Sequence, residues 1–328
     1  MKILVTGGLG FIGSSFIRYM ISEYDNKVDI INLDKVTYCS NFDSLKDLEN
    51  KKNYRFVKGD IADYGLLEKT AKDIEIIFNF AAETHVDRSI RSSLDFVKSN
   101  VLGFSTLLEF ARRNDTRKLV HISTDEVYGS IDNGSFNEDS NLLPNSPYAA
   151  TKASADLMAR AYIKTYGIPV ITTRSSNNFG PYQYPEKVIP LFITNILENR
   201  KIPLYGDGMN VRDWLYVEDN CAAIDLVSRK GRIYDTYNVG AKNEKTNLEI
   251  AKFILKEMGK DESYIEFVKD RPAHDRRYSL NCSKIGKLGF KPKNNFYNAL
   301  KKTIQWYKDN KEWWKKIKGM KTYETKFY

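Results

Sequence analysis

KILVTGGLGFIG, Lys2 to Gly13, is the stretch that decides the fold. Ile3, Leu4, Val5 and Thr6 are apolar or β-branched and predict a short buried strand. Gly7, Gly8, Gly10 and Gly13 follow at once, and an apolar-periodic run from Phe11 to Tyr19 predicts a helix. A glycine pattern between a strand and a helix points to dinucleotide binding, where the same pattern alone would be weak. Gly7 permits the tight turn, Gly10 lets backbone approach a pyrophosphate, and Gly13 lets helix and strand pack closely. The helix N-terminus at Phe11 and Ile12 then offers free N–H groups and a positive dipole end to phosphates. The competing reading is a plain βα turn. Asp34, about 20 residues further on, favours the dinucleotide.

Outward from this stretch, strands and helices alternate. Strands are expected at Lys2–Thr6, Asp29–Leu33, Arg55–Val57, Ile74–Phe80, Lys118–Ser123 and Val170–Thr173. Helical patterns fill the gaps at Phe11–Tyr24, Tyr64–Lys72, Leu94–Asn114 and Pro147–Tyr166. Alternation of this kind, with strands apolar throughout, predicts an α/β fold built on a Rossmann-type doubly wound parallel sheet covered on both faces. Asp34 closes the second strand, where a carboxylate accepts ribose hydroxyls and repels a 2′-phosphate, so NAD is favoured over NADP. Lys35 beside it pulls the other way. Asp60, in KGDI after the third strand, either meets the adenine edge or serves as a turn aspartate.

Beyond Arg174 the pattern changes. SSNNFGPYQYPEKVIP and KIPLYGDG carry prolines and glycines and read as long binding loops. A strand at DWLYV, a helix over Glu218–Arg229 and a strand at Tyr237–Val239 follow, then a helix over Asn247–Met258 with Thr246 as N-cap. Phe296–Trp313 closes as an amphipathic helix, with Trp313 and Trp314 as docking residues. The expected division is a cofactor domain over residues 1–175 plus roughly 214–241, and a smaller α/β C-terminal substrate-binding domain over 176–213 and 242–328.

Composition narrows the function. A chain of 328 residues, 42% hydrophobic and 28% charged, has the make-up of a globular protein. No run of 18 apolar residues exists, so no membrane span is expected. The first strand begins at Lys2, which leaves no room for a signal peptide. The three cysteines, Cys39, Cys221 and Cys282, are few and far apart, which suits a reducing cytoplasm and gives no metal-ligand spacing. With only three histidines, His85, His121 and His274, no metal site is expected. The net charge of +9 favours anionic partners. Outside Lys311–Lys326 the basic residues are mixed with acidic ones, so a phosphate-bearing small substrate is preferred to nucleic acid.

Two clusters carry chemistry. Ser123-Thr124-Asp125-Glu126 follows a parallel strand, at the sheet edge where ligands bind in open α/β folds. Two adjacent carboxyls resist double ionisation, so one can stay protonated while the other is a base; the alternative is a polar turn. Tyr148-Ala-Ala-Thr-Lys152 opens a helix after Pro147. Positions i and i+4 share a face, so the Lys152 ammonium is expected to depress the Tyr148 phenol and fit it to deprotonate an alcohol.

Together, Gly7-x-x-Gly10-x-x-Gly13 and Tyr148-x-x-x-Lys152 resemble the extended short-chain dehydrogenase/reductase superfamily. Thr124-Asp125-Glu126 resembles, within it, the nucleotide-sugar 4,6-dehydratases and most closely those acting on dTDP-glucose. The resemblance runs along nearly the whole chain, through HVDRSI (His85–Ile90), NNFGPYQYPEKVIP (Asn177–Pro190), PLYGDGMNVRDWLYVED (Pro203–Asp219) and RPAHDRRY (Arg271–Tyr278). Departures are Cys39-Ser40 for a usual Ala-Gly, Phe179 for Tyr, Asn220 for His and Ala273 for Gly.

The resemblance implies a hydro-lyase of deoxysugar biosynthesis with a tightly bound NAD, reduced and reoxidised in each turnover. Tyr148, with Lys152 and Thr124, would take the C4 hydroxyl proton; Glu126 would be the base at C5; Asp125, protonated, would donate to the departing C6 hydroxyl. It implies cofactor contacts at Ile61, Ala81, Ala82, Asn100, Ser123 and Asn178, beyond the glycine turn, Asp34, Lys35, Asp60 and the Tyr148/Lys152 pair. It implies substrate contacts at His85, Thr124, Asn177, Lys187, Val188 and Pro203, and at Tyr205, Arg212, Asn247, Arg271 and His274. Arginine's planar fork suits the diphosphate. Tyr205 either stacks on the base or is an ordinary core tyrosine. His85 is read as structural or cofactor-side, and His121 as a core residue. The resemblance also implies a homodimer pairing Leu94–Asn114 and Pro147–Tyr166 into four helices. Rival readings are a UDP-sugar 4,6-dehydratase, a nucleotide-sugar 4-epimerase and a non-catalytic NAD-binding regulator.

Overall fold

The computed structural model describes residues 1–323, so the last basic residue of the C-terminal run, Lys326, lies outside the described residues. In chain order the strands are β1 (Lys2–Thr6), β2 (Asp29–Asp34), β3 (Tyr54–Lys58), β4 (Ile76–Asn79), β5 (Lys118–Thr124) and β6 (Val170–Ser175). They continue with β7 (Asn177–Phe179), β8 (Ile202–Tyr205), β9 (Val211–Tyr216), β10 (Thr236–Val239), β11 (Glu244–Thr246) and β12 (Ile265–Val268).

Seven strands form one sheet in the order β10-β6-β5-β4-β1-β2-β3, and every pairing in it is parallel. Successive β1 side chains point to opposite faces. Ile3 and Val5 enter the core shared with Phe16, Ile17 and Ile224, from helices Phe11–Tyr24 and Val217–Lys230. Leu4 enters the core shared with Leu107, Ala155 and Ala159, from helices Phe104–Arg113 and Pro147–Tyr166. Strand order reverses between β1 and its neighbours β4 and β2, which opens a crevice at the carboxyl ends of the strands. The expected Rossmann-type sheet is therefore the observed one, with element ends shifted by one or two residues. Among the described residues no helix is long and apolar enough to cross a membrane.

The later part of the chain differs more. The segments read as loops contain β7, β8 and the start of the helix Val188–Leu197. β7 pairs with β9 in a three-stranded sheet, β11-β9-β7, and β8 pairs with β12. Strands of three or four residues carry too few positions to show a period, and their partners are far away in sequence. The division expected at roughly residue 214 falls within β9, a strand of the three-stranded sheet. Thr246 caps its helix as expected, in a reciprocal capping box with Glu249.

Two expected helices are broken. Leu94–Asn114 has a π-helical turn over Val97–Gly103 between Leu94–Phe96 and Phe104–Arg113. In that turn Gly103 packs on Ile61, 2.8 Å from where a Cβ would stand, and buried Asn100 reaches Glu83. Phe296–Trp313 ends at Asp309 and restarts as Lys311–Lys318, because Asn310 leaves helical geometry and bonds the Trp306 carbonyl at 2.8 Å. The break turns Trp313 and Trp314 into the core, where Trp314 is 1% exposed.

Candidate active site

The glycine turn has the geometry its spacing requires. Gly7 has φ +70°, a left-handed conformation suited to glycine. A Cβ on Gly13 would stand 2.3 Å from the Gly7 oxygen and 2.9 Å from Gly8 Cα, both backbone atoms that cannot yield. On Gly10 it would meet only the Gly7 oxygen, at 3.3 Å, and otherwise project into open space. Gly13→Ala should therefore destabilise the fold by about 1–3 kcal/mol, read from urea unfolding. Gly10→Ala should leave unfolding nearly unchanged and weaken cofactor binding, so equal effects on both would contradict this assignment. Helix Phe11–Tyr24 has no side-chain cap and no acidic residue in its first turn, so its N–H groups are open to an anion.

Asp34 is buried at the end of β2 and accepts from the Leu9 N–H at 2.9 Å, the Val36 N–H at 2.8 Å and the Ser40 hydroxyl at 2.8 Å. Lys35 turns to Asp60, 2.7 Å away, so its charge is engaged by a carboxylate. Asp60 also takes the Ala62 N–H at 3.0 Å, so it is a turn aspartate and part of the cavity wall at once. The glycine cradle, the open helix end and Asp34 fit NAD.

The same cavity runs along the carboxyl ends of the strands to both candidate clusters. Its wall includes Ile61, Ala81, Ala82 and Ser123, then Thr124, Asp125, Glu126, Tyr148 and Lys152, and then Asn177, Asn178 and Lys187. Thr124 ends β5, and its hydroxyl accepts from the Glu126 N–H at 3.3 Å, opening the tight turn Asp125–Tyr128. Ser146 caps the next helix and Pro147 begins it, which places Tyr148 at its mouth. Burial first, and then the neighbouring Glu126, push the Asp125 carboxyl well above the usual aspartate range. Burial also raises Glu126, but Arg271, Arg212 and Lys187 oppose that rise. The pair is thus biased toward a protonated Asp125 and an ionised Glu126.

The expected depression of Tyr148 is corrected. Burial, reinforced by Glu126, raises its phenol, and a hydrogen bond to Thr124 only counters this. Lys152 Nζ donates to the Ile122 carbonyl at 2.7 Å, and burial lowers its ammonium to about 8. An i,i+4 spacing brings two stems together without settling how far each head group is desolvated.

Other expected site residues lie off this wall. Asn100 sits behind it, with Oδ1 accepting from Glu83 N–H at 2.8 Å and Nδ2 donating to the Thr151 hydroxyl at 2.9 Å. His85 caps helix Val86–Arg91. Tyr205 and Arg271 both bind Asp87, at 2.8 and 3.2 Å, and the Tyr205 ring meets His274 edge-on. Tyr205 is thus an anchored, half-buried residue and not a core one. Arg212 donates to the Asp275 carbonyl at 2.9 Å and lies 4.3 Å over the Tyr278 ring. Val188 and Asn247 begin helices and Pro203 lies in β8, and none of the three lines this cavity. His121 is buried in the core, as read.

Several wall residues escaped the sequence reading. Glu186 is buried and holds the Tyr38 hydroxyl at 3.0 Å and Arg88 at 3.4 Å. Glu83, Cys39, Ser40 and Trp313 also line the cavity. The carboxylates had one available signal, their place inside apolar-flanked motifs.

The family model for GDP-mannose 4,6 dehydratase matches residues 4–303. A dTDP-glucose 4,6-dehydratase of Streptomyces niveus is 48% identical over 97% of this chain and 96% of its own length. The chain belongs to the dTDP-glucose 4,6-dehydratase family. Two solved members superpose closely. DesIV of Streptomyces venezuelae, a dTDP-glucose 4,6-dehydratase with NAD bound, has a TM-score of 0.95 at 48% identity, covering 97% of this chain and 100% of its own. The dTDP-glucose 4,6-dehydratase of Bacillus anthracis, in complex with NAD, has a TM-score of 0.91 at 51% identity, covering 97% and 99%.

Proposed function

We infer that the protein is an NAD-dependent hydro-lyase that converts dTDP-glucose to dTDP-4-keto-6-deoxyglucose and water. The observation that carries this is the Asp125–Glu126 couple, on the same cavity wall as the glycine turn and Tyr148, both carboxyls raised by burial but Asp125 further by Glu126 and Glu126 held back by three cations. Tyr148, hydrogen-bonded to Thr124, takes the proton of the C4 hydroxyl. The glycine turn and Asp34 would hold NAD in the cavity that Tyr148 and Lys152 also line, and the cofactor would supply hydride uptake from C4 and return to C6. Lys152 lies one turn along the helix on the same cavity wall, its ammonium held by the Ile122 carbonyl, and would favour the phenolate. The C4 ketone acidifies C5–H, which Glu126 removes, while Asp125 gives its proton to the leaving C6 hydroxyl. Atoms balance with one water lost and no net change in redox state. Lys187, Arg212 and Arg271 supply charge for a diphosphate, with Tyr205 and His274 beside them for the base.

The direct test incubates the protein with dTDP-glucose and reads the base-induced ultraviolet band of the 4-keto sugar. The band is expected; a different hexose without it would indicate an epimerase. Running UDP-glucose in parallel tests the preference between two nucleotides that differ by the base methyl, worth a small discrimination, and by the 2′-hydroxyl.

A cytoplasmic homodimer completes the reading. Leu94, Leu102, Leu157 and Tyr166 are exposed on the helices flanking one face of the sheet, and a second copy would cover them. Sedimentation should give twice 37.9 kDa, and a monomer at micromolar concentration would contradict it. The chain is read as two lobes, with the crossing at Tyr216–Val217.

A further inference from the structure

The two catalytic clusters sit on different elements, Tyr148 and Lys152 on helix Pro147–Tyr166 and Asp125 and Glu126 on the tight turn Asp125–Tyr128. Beneath the cavity those elements are joined by a line of buried polar contacts. Asp156, one helical turn beyond Lys152, accepts from Arg174 Nε at 2.7 Å. Arg174, in β6, donates through its second arm to the Tyr128 hydroxyl at 2.7 Å, and Tyr128 closes the turn that carries Asp125 and Glu126. The Tyr128 hydroxyl in turn donates to Asn238 Oδ1 in β10 at 2.8 Å. Asp156 and Arg174 are 6% and 7% exposed, and Tyr128 is 1% exposed. None of the three belongs to the cavity wall. Burying an ion pair costs desolvation that a well-packed apolar set would avoid, so its stabilising value is small. A planar guanidinium with two arms is well suited to fixing the distance between two partners.

We propose that Arg174, held between Asp156 and Tyr128, is a positioning residue that keeps the dehydrating turn in register with the oxidising helix. The proposal rests on the reaction inferred above. Tyr128→Phe removes the hydrogen bond from Arg174 to the turn, together with the one to Asn238, keeps the ring under the guanidinium, and leaves the Arg174–Asp156 pair in the helix intact. Oxidation at C4 depends on the helix and should stay within about threefold of the parent, whereas elimination depends on the turn and should slow at least tenfold.

The experiment is a single turnover of parent and variant holoenzyme with dTDP-glucose, following the near-ultraviolet absorbance of reduced nicotinamide and the 4-keto product separately. Melting temperature and KM are measured alongside. The expected variant accumulates reduced cofactor and forms product late, with KM within about twofold. Equal slowing of both steps, or an unchanged product rate, would reduce the strut to a stabilising contact and overturn the proposal. If Tyr128→Phe does not yield a folded protein, Arg174→Lys is read the same way, because an ammonium can keep Asp156 but not also reach Tyr128. Product formation by the parent tests the reaction; the ratio of the two steps in the variant tests the strut.

Discussion

Asp125→Asn should slow loss of water by about 10²–10⁴-fold, the usual contribution of a positioned general acid, while C4 oxidation continues. The amide has nearly the shape of the carboxyl, so the tight turn and the 3.2 Å contact from the Thr124 hydroxyl to Oδ1 can persist. What is lost is the proton that burial and Glu126 keep on Asp125. Reduced cofactor should accumulate on mixing with substrate, and dehydration at the parental rate would rule out the assignment. The same pair sets the pH dependence. Activity needs Glu126 ionised, so the rate should fall as pH drops through its pKa, which burial raises above the ordinary 4.5. An acid limb at or below that value would mean that a different group is the base.

Tyr148→Phe should have the opposite signature. Removing the hydroxyl takes away the acceptor of the C4 proton, so oxidation should slow by about 10²–10⁴-fold and no reduced cofactor should build up. Tyr148 is buried, and its own backbone N–H is held by the Ser89 hydroxyl at 3.1 Å. The substitution therefore leaves the helix start intact, and the melting temperature should change little. Accumulation of reduced cofactor in this variant would place the C4 base elsewhere. The two variants thus divide the reaction between the helix and the turn, the division on which the Arg174 strut depends.

What the sequence disclosed was local. Gly7, Gly10 and Gly13 act within one turn, and their spacing alone foretold a tight turn, an open approach and a close helix contact. Tyr148 and Lys152 were placed correctly on one helix face, but their charge behaviour was misread. Proximity is a matter of helical pitch, whereas desolvation depends on β5, β6 and the turn packed above them. Tyr128 and Arg174 are 46 residues apart and Arg174 and Asp156 are 18 apart, distances at which no periodicity speaks. The π turn at Asn100 was invisible for a related reason, since Asn100 bonds the backbone of Glu83 in the loop after β4. Lys35 shows how a neighbour can mislead: adjacent to Asp34 in sequence, it is paired with Asp60 in space.

The central claim is that one bound cofactor takes a hydride from C4 and returns it to C6 of the same sugar. Turnover of dTDP-glucose deuterated at C4 tests it most directly. The account predicts deuterium at C6 of the 4-keto product, with no net consumption of NAD. Deuterium released in free reduced cofactor, with stoichiometric NAD consumed per product, would contradict it.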